Sequence, residues 1–319
     1  MTPSLAATIT KTASKQAYCT IRFLVDRARV EAAYRAYGYF RWVDDILDAD
    51  TGSGPVPGEA EASERKSFLE RQKWLLDKCL RGQAPQDASA QEAMLVELVH
   101  SDPDKNSGLR DYLRNMMLVM EFDVSRRGRL VTQAELNEYT RWLAVAVSEA
   151  MHYFIGHGDF APRGERRYLA VSAAHIVHML RDTCDDAQAG YFNIPREVLE
   201  ANQIGLQDVR SAAYRAWVKS RVQLARQYFE AGKQYYRQVQ NLRHRLAGFA
   251  YMARFEWLLE AIEAEGYILR PQYNERKSTG TGLRMSWLTL TSMMRWRREE
   301  SVSRALAPQR QGKAWNRNP

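Results

Sequence analysis

Apolar residues recur every three to four positions through most of this chain, the spacing of one buried helical face. The pattern predicts helix over about Tyr18 to Asp48, in one or two pieces. Further helices are predicted near 62–80, 89–100 and 108–125, with Ser101-Asp102-Pro103-Asp104 breaking the last two apart. Thr132 to about Gly156 follows, and Thr132 with Glu135 three positions on reads as a capping box. Arg163 to about Ala189 comes next and stops at Gly190-Tyr191-Phe192-Asn193-Ile194-Pro195. Two long helices run from about Leu206 to Glu265, with a joint near Asn241. The Gly/Pro-rich stretch Thr51 to Gly58 reads as loop. No strand pattern of weight and no solenoid-length repeat accompanies these helices.

Composition agrees with an all-α, single-domain reading. Only 18 Gly and 10 Pro are spread over 319 residues, and no linker separates two cores. Cys19, Cys79 and Cys184 form no CxxC pair, which fits reduced thiols and a cytoplasmic location better than a disulfide framework. Residues 1–13 are expected to be a flexible N-terminus without a signal peptide, and no apolar run reaches spanning length. Residues 14–270 are expected to form the helical domain. The net charge of +8 resides entirely in residues 270–319, so the body is neutral and offers no groove for nucleic acid. Residues 271–319 read as a basic, partly disordered tail. Within it, segment 284–298 is short, apolar and flanked by arginines, a candidate for peripheral membrane contact.

Two carboxylate clusters change this picture from a helical body to a site. The first is Arg41-Trp42-Val43-Asp44-Asp45-Ile46-Leu47-Asp48 and the second is Arg181-Asp182-Thr183-Cys184-Asp185-Asp186. On a helix Tyr37, Arg41, Asp44 and Asp48 fall on one stripe, and so do His175, His178, Asp182 and Asp186. Carboxylates so placed on helices that bury apolar faces repel one another and resist desolvation. A divalent cation relieves both costs, and Mg2+ commonly bridges one or two carboxylates to substrate phosphates. The adjoining arginines would neutralise phosphate oxygens directly. The chemistry such a site suits is departure of diphosphate from an allylic carbon, with an apolar cavity beside it.

The segments Ser14–Tyr18 and Tyr37–Asp48 resemble the first aspartate-rich region of the squalene/phytoene synthase family. Leu180–Asp186, with Gly190 and Pro195, resembles the second. Asp123 and Glu135–Tyr139 are similar to the stretch leading to the family's active-site tyrosine, and the pattern resumes at Phe255–Tyr267. The resemblance implies an isoprenoid-synthase-type helical bundle with a central cavity. It implies Mg2+-dependent head-to-head joining of two prenyl diphosphates through a cyclopropyl intermediate. Carried over, Asp44, Asp48, Asp182 and Asp186 would be metal ligands, Arg41 and Arg181 phosphate contacts, Tyr37 a substrate contact and Tyr139 a catalytic or substrate-contacting phenol.

The chain departs from the family pattern at named positions. His175 and His178 stand where glutamine and asparagine are usual. Imidazole is a poorer Mg2+ ligand than an amide oxygen, but it can accept a proton near neutrality. Val145 and Ser148 stand at glycine positions and are expected to narrow a prenyl channel, and Phe255, which replaces a tyrosine, is expected with Val145 and His175 to contact substrate. These changes keep a second reading open, a terpene synthase or cyclase using a single prenyl diphosphate with His178 or His175 as base. A third, remote reading is a di-metal carboxylate oxidase built on Glu97-Leu98-Val99-His100 and Glu149-Ala150-Met151-His152. A helical fold that has lost its chemistry sits badly with two retained clusters. NADPH stays open as a reductant, and no GxGxxG fingerprint indicates it.

Overall fold

The computed structural model describes residues 4–49 and 58–273. Most of the loop read at 51–58 and the whole 284–298 segment lie outside those residues. The described chain is helical with no strand. Its helices are α1 (Leu5–Ala13), α2 (Lys15–Leu24), α3 (Val30–Leu47), α4 (Glu59–Leu80), α5 (Ala90–His100) and α6 (Gly108–Arg126). They continue as α7 (Gln133–Phe154), α8 (Arg166–Gln188), α9 (Arg196–Asn202), α10 (Ala212–Gln238) and α11 (Leu242–Ala264). A single 3-10 turn, Arg27–Arg29, leads into α3. Among the described residues no helix is long and apolar enough to cross a membrane.

Most starts are set by side chains that satisfy the free N–H groups of a first turn. Ser14, Ser107, Ser211 and Asn241 cap α2, α6, α10 and α11. The capping box expected at Thr132 is present: Glu135 N–H donates to Thr132 Oγ1 at 3.1 Å, and Thr132 N–H donates to Glu135 Oε2 at 2.7 Å. A second box joins Ser89 and Glu92 at α5.

The N-terminus differs from the flexible segment expected over residues 1–13. Residues 5–13 are helix, capped by Ser4 and seated on α3 through buried Ala6, Ala7 and Thr10. The close approach needs small residues, because a Cβ on Gly38 would stand 3.3 Å from Ala6 Cα. Small side chains leave no apolar run to read, which is why the pattern missed this helix.

The apolar interior forms two clusters. One packs α1 to α7, and the other packs α8, α10 and α11 with the α8–α10 connection. The first holds α3 in place through a polar chain: Tyr39 Oη donates to Gln72 Oε1 at 3.0 Å, and Gln72 Nε2 donates to Glu92 Oε1 at 3.1 Å. Tyr112 Oη donates to the Ala36 carbonyl at 3.0 Å and ties α6 to the same helix. In the second cluster α8 and α10 meet at Gly232, where a Cβ would lie 2.7 Å from Ala170 Cβ. Neither atom can swing away. Gly232→Val is therefore expected to cost about 1–3 kcal/mol, the range for overpacking a core, read as a lower urea midpoint.

Two histidines meet between α7 and α11, His244 buried and His152 half-buried. Tyr235 Oη and His152 Nε2 stand 2.7 Å apart, and the His152 and His244 rings meet at 4.0 Å. Burial and its neighbours pull His152 down to about 2, and burial with Arg167 pulls His244 down to about 4. Both stay neutral in the fold while the unfolded chain takes up protons near pH 6.5. Their contribution to stability is then full above pH 6.5 and is lost from there toward pH 4, by up to about 1.4 kcal/mol per pH unit for each histidine, while carboxyls that the fold raises, such as Asp44 and Asp186, contribute the opposite slope over the same range. The difference in urea unfolding between the parent and His244→Gln at pH 7.5, 6 and 5 isolates the histidine part, and the variant should lose less stability than the parent as pH falls.

Candidate active site

The two acidic stripes face one another across a pocket of about 150 Å³ between α3 and α8. Asp44 and Asp48 line it from α3, and His175, His178, Asp182 and Asp186 line it from α8. Asp123 and Arg126 enter from the end of α6, Tyr139 from α7, and Tyr191 from the segment after α8. Asp48 is the C-terminal cap of α3, and its carboxylate accepts from Tyr191 Oη at 3.1 Å. Asp45, off the stripe, is exposed and pairs with Arg41.

Asp44 also lines a second cavity of about 410 Å³, which runs from the acidic pocket into the first core cluster. Its walls are apolar: Ala36, Phe40, Met116, Met120, Leu143 and Val147 among them, with Tyr37 and Arg41 beside Asp44. Val25, Phe154 and Ile155 also line it. A polar head placed among the aspartates thus has an apolar compartment for a hydrocarbon tail directly attached.

The carboxylates differ in charge state. Burial and Asp48, one turn on along the same helix, push Asp44 up to about 7. Burial and Asp182 push Asp186 up to about 6, against the Asn193 hydrogen bond. Burial works the same way on Asp182, but Arg181 and His178 outweigh it and hold that carboxyl below the usual range. Arg181 grips Asp182 at 2.5 and 2.6 Å, and His178 Nε2 lies 2.8 Å from it. Arg41 bonds Asp44 at 3.1 Å.

A buried network braces the wall opposite. Tyr139 Oη donates to both oxygens of Asp123 at 3.0 Å, and Arg126 Nε donates to Asp123 at 2.8 Å. Arg126 Nη1 donates to Asn193 Oδ1 at 3.1 Å, and Asn193 Nδ2 donates to Asp186 at 2.6 Å. The Arg126 guanidinium also lies over the Tyr139 and Tyr191 rings at 5.0 and 4.9 Å. Burial and Asp123 hold the Tyr139 phenol well above its ordinary value, so it is a donor and not a phenolate.

The Thr140 hydroxyl stands 2.8 Å from the Leu136 carbonyl and 3.0 Å from His175 Nδ1, which ties the imidazole to α7. Burial, His178 and Arg126 pull His175 down to about 3, so the ring is neutral.

Asp44, Asp48, Tyr139, His175, His178, Asp182 and Asp186 are thus brought together, and Tyr37 and Arg41 sit at the head of the apolar cavity. Arg181 reaches the site through Asp182. Two expected residues lie elsewhere. Val145, expected to narrow the prenyl channel, lines a different groove, bounded by α8 and α10. It stands two residues from cavity-lining Leu143, about 200° around the helix. Phe255, expected to contact substrate, is buried in the second core cluster against Tyr251, ring centroids 5.4 Å apart. The glutamates of the two ExxH strings are taken up in ion pairs, Glu97 with Arg35 at 2.8 Å and Glu149 with Arg167 at 2.6 Å, which removes the support for an oxidase. Arg126, Tyr191 and Asn193 were not foreseen. The spacing of Asp123 and Arg126, three apart on a helix, was the available signal for the first.

Among the described residues no three His, Cys, Asp or Glu side chains already converge on one metal position. The donors are instead divided between two walls. Asp44 and Asp186, driven up to about 7 and 6 by burial and by Asp48 and Asp182 respectively, would be relieved by added positive charge, and hard oxygen donors are what Mg2+ takes. The set therefore fits divalent cations that complete their shells with water and ligand phosphate.

A family model described as squalene/phytoene synthase matches residues 10–280. A 15-cis-phytoene synthase of Synechocystis sp. (strain ATCC 27184 / PCC 6803 / Kazusa) is 24% identical over 281 residues, covering 83% of this chain and 77% of that protein. The crystal structure of a dehydrosqualene synthase in complex with ligand superposes with a TM-score of 0.65 at 16% identity, over 92% of this chain and 95% of its own. A ligand complex of TcSQS gives 0.63 at 14%, over 96% and 92%. At these identities the two structures establish a shared all-α fold.

Proposed function

We propose, from the premise that the chain belongs to the squalene/phytoene synthase family, that it is a prenyltransferase joining two prenyl diphosphates head to head. The observation that carries this reading is the shared wall at Asp44, which lines both an acidic pocket and an apolar cavity. Asp44 and Asp48 on one side and Asp182 and Asp186 on the other would hold Mg2+, which when bound offsets the charge gathering on departing diphosphate.

The chain's own residues do the rest. Arg41 and Arg181 trade their present carboxylate partners for phosphate oxygens and orient the leaving group. The cavity below Tyr37 and Arg41 takes the prenyl tail and keeps water from the allylic cation. Tyr139, fixed by Asp123, directs a neutral phenol at the reacting end of the pocket. His175 supplies a neutral imidazole able to take a proton from carbon or steady the cation.

The experiment is product analysis. Purified protein is incubated with geranyl, farnesyl and geranylgeranyl diphosphates, singly and mixed, with and without Mg2+ and NADPH. The expected product has the carbon count of two substrates and requires Mg2+. Alcohols or cyclised products of one substrate alone would overturn the proposal in favour of a single-substrate synthase.

A further inference from the structure

On the outer side of α7, away from both cavities described above, α7, α8 and α10 enclose a groove of about 730 Å³. It shares no lining residue with the acidic pocket or the apolar cavity. Gln133, Asn137, Thr140 and Arg221 gather at one end, and Ala144, Val145, Leu169 and Leu224 run toward Tyr228 at the other. A small recess of about 20 Å³ shares Arg221, Gln133 and Thr140 with it.

Arg221 is the informative residue. Burial lowers its pKa, and the Tyr228 phenol is its electrostatic neighbour. Among the described residues it has no hydrogen bond and no carboxylate partner. Arg221 is half-buried, whereas the more enclosed Arg126 and Arg167 face carboxylates, Asp123 at 2.8 Å and Glu149 at 2.6 Å. The other charges around the groove do not supply the missing anion. Arg141 is satisfied by Glu138 at 2.5 Å, and Glu165 interacts with Arg141. A partly desolvated guanidinium without a counterion is costly in a fold unless something fills the place.

We infer that this groove binds an amphipathic anion, a carboxylate or phosphate head on one hydrocarbon tail. The head meets Arg221, with Gln133 and Asn137 beside it, and the tail lies along Leu169, Leu224 and Val145. Its position has a consequence for the catalytic pocket, because Thr140 lines the groove and contacts His175 Nδ1 at 3.0 Å. The inference stands independently of the proposed reaction, since the groove uses none of the same residues.

The test is direct photolabelling of the full chain. Dodecanoate carrying a diazirine near its tail is crosslinked, and labelled peptides are mapped by mass spectrometry. Labels are expected in 221–228, 165–176 or 137–145, and Arg221→Gln should weaken labelling at least about tenfold, the scale of one charge-assisted contact. Leu224→Trp, which fills the tail's place, should abolish it, and circular dichroism checks both folds. Competition by dodecyl phosphate and by inorganic phosphate separates the two head chemistries and shows whether the tail is needed. Labels confined to the walls of the prenyl cavity, or labelling unchanged in both variants, would overturn the inference.

Discussion

Asp182→Asn is expected to lower turnover roughly 10²–10³-fold, the scale for losing one group that stabilises charge at the reacting centre. Asp182 is the carboxylate most firmly held in its ionised form, by Arg181 at 2.5 and 2.6 Å and by His178 at 2.8 Å. Asparagine keeps the size and one oxygen but gives up the charge, so the apparent Mg2+ requirement should rise along with the loss of rate. Asp185→Asn is the control. Asp185 lies on the same helix three residues away, is exposed, and lines no part of the pocket. Steady-state release of diphosphate from both variants measures the difference. Equal rates for the two would remove Asp182 from the site.

Arg126→Met is expected to be the most destabilising single change in the site, by about 3–5 kcal/mol, the usual cost of stripping one partner from a buried ion pair. Burial already pushes Asp123 upward even with Arg126 in place. Without the guanidinium, Asp123 loses its counterion, Asn193 loses a donor, and the Tyr139 and Tyr191 rings lose the cation between them. Urea unfolding of the parent, Arg126→Met, Asp123→Asn and the double variant closes a cycle. The double variant should recover much of the stability, because no charge is then left unpaired. Activity should not return with it, since Tyr139 and Asp186 are held through the same network. Full additivity in the cycle would show that Arg126 and Asp123 act separately.

What was legible in the sequence follows from periodicity. Long helices with one apolar face declared themselves, and so did stripes of carboxylates at helical spacing, because both are properties of one segment. The Arg126 network escaped because its contacts join residues far apart in the chain: Arg126 reaches Asn193, and Asp48 reaches Tyr191. Tyr191 and Asn193 stood in a stretch legible only as the end of a helix. The placement of Val145 went astray for a related reason. A family pattern identifies a position without fixing its rotation relative to a neighbour such as Leu143. Helix α1 was hidden by its small residues, and α9 by its length of seven.

The two walls of the acidic pocket belong to different halves of the interior, α3 to one core cluster and α8 to the other. A ligand that spans them is therefore a clasp as well as a substrate. Unreactive diphosphate with its cations should raise the melting temperature in proportion to the logarithm of its concentration, since only the docked halves can hold it. Loosening that seam would silence the enzyme while every helix remained intact.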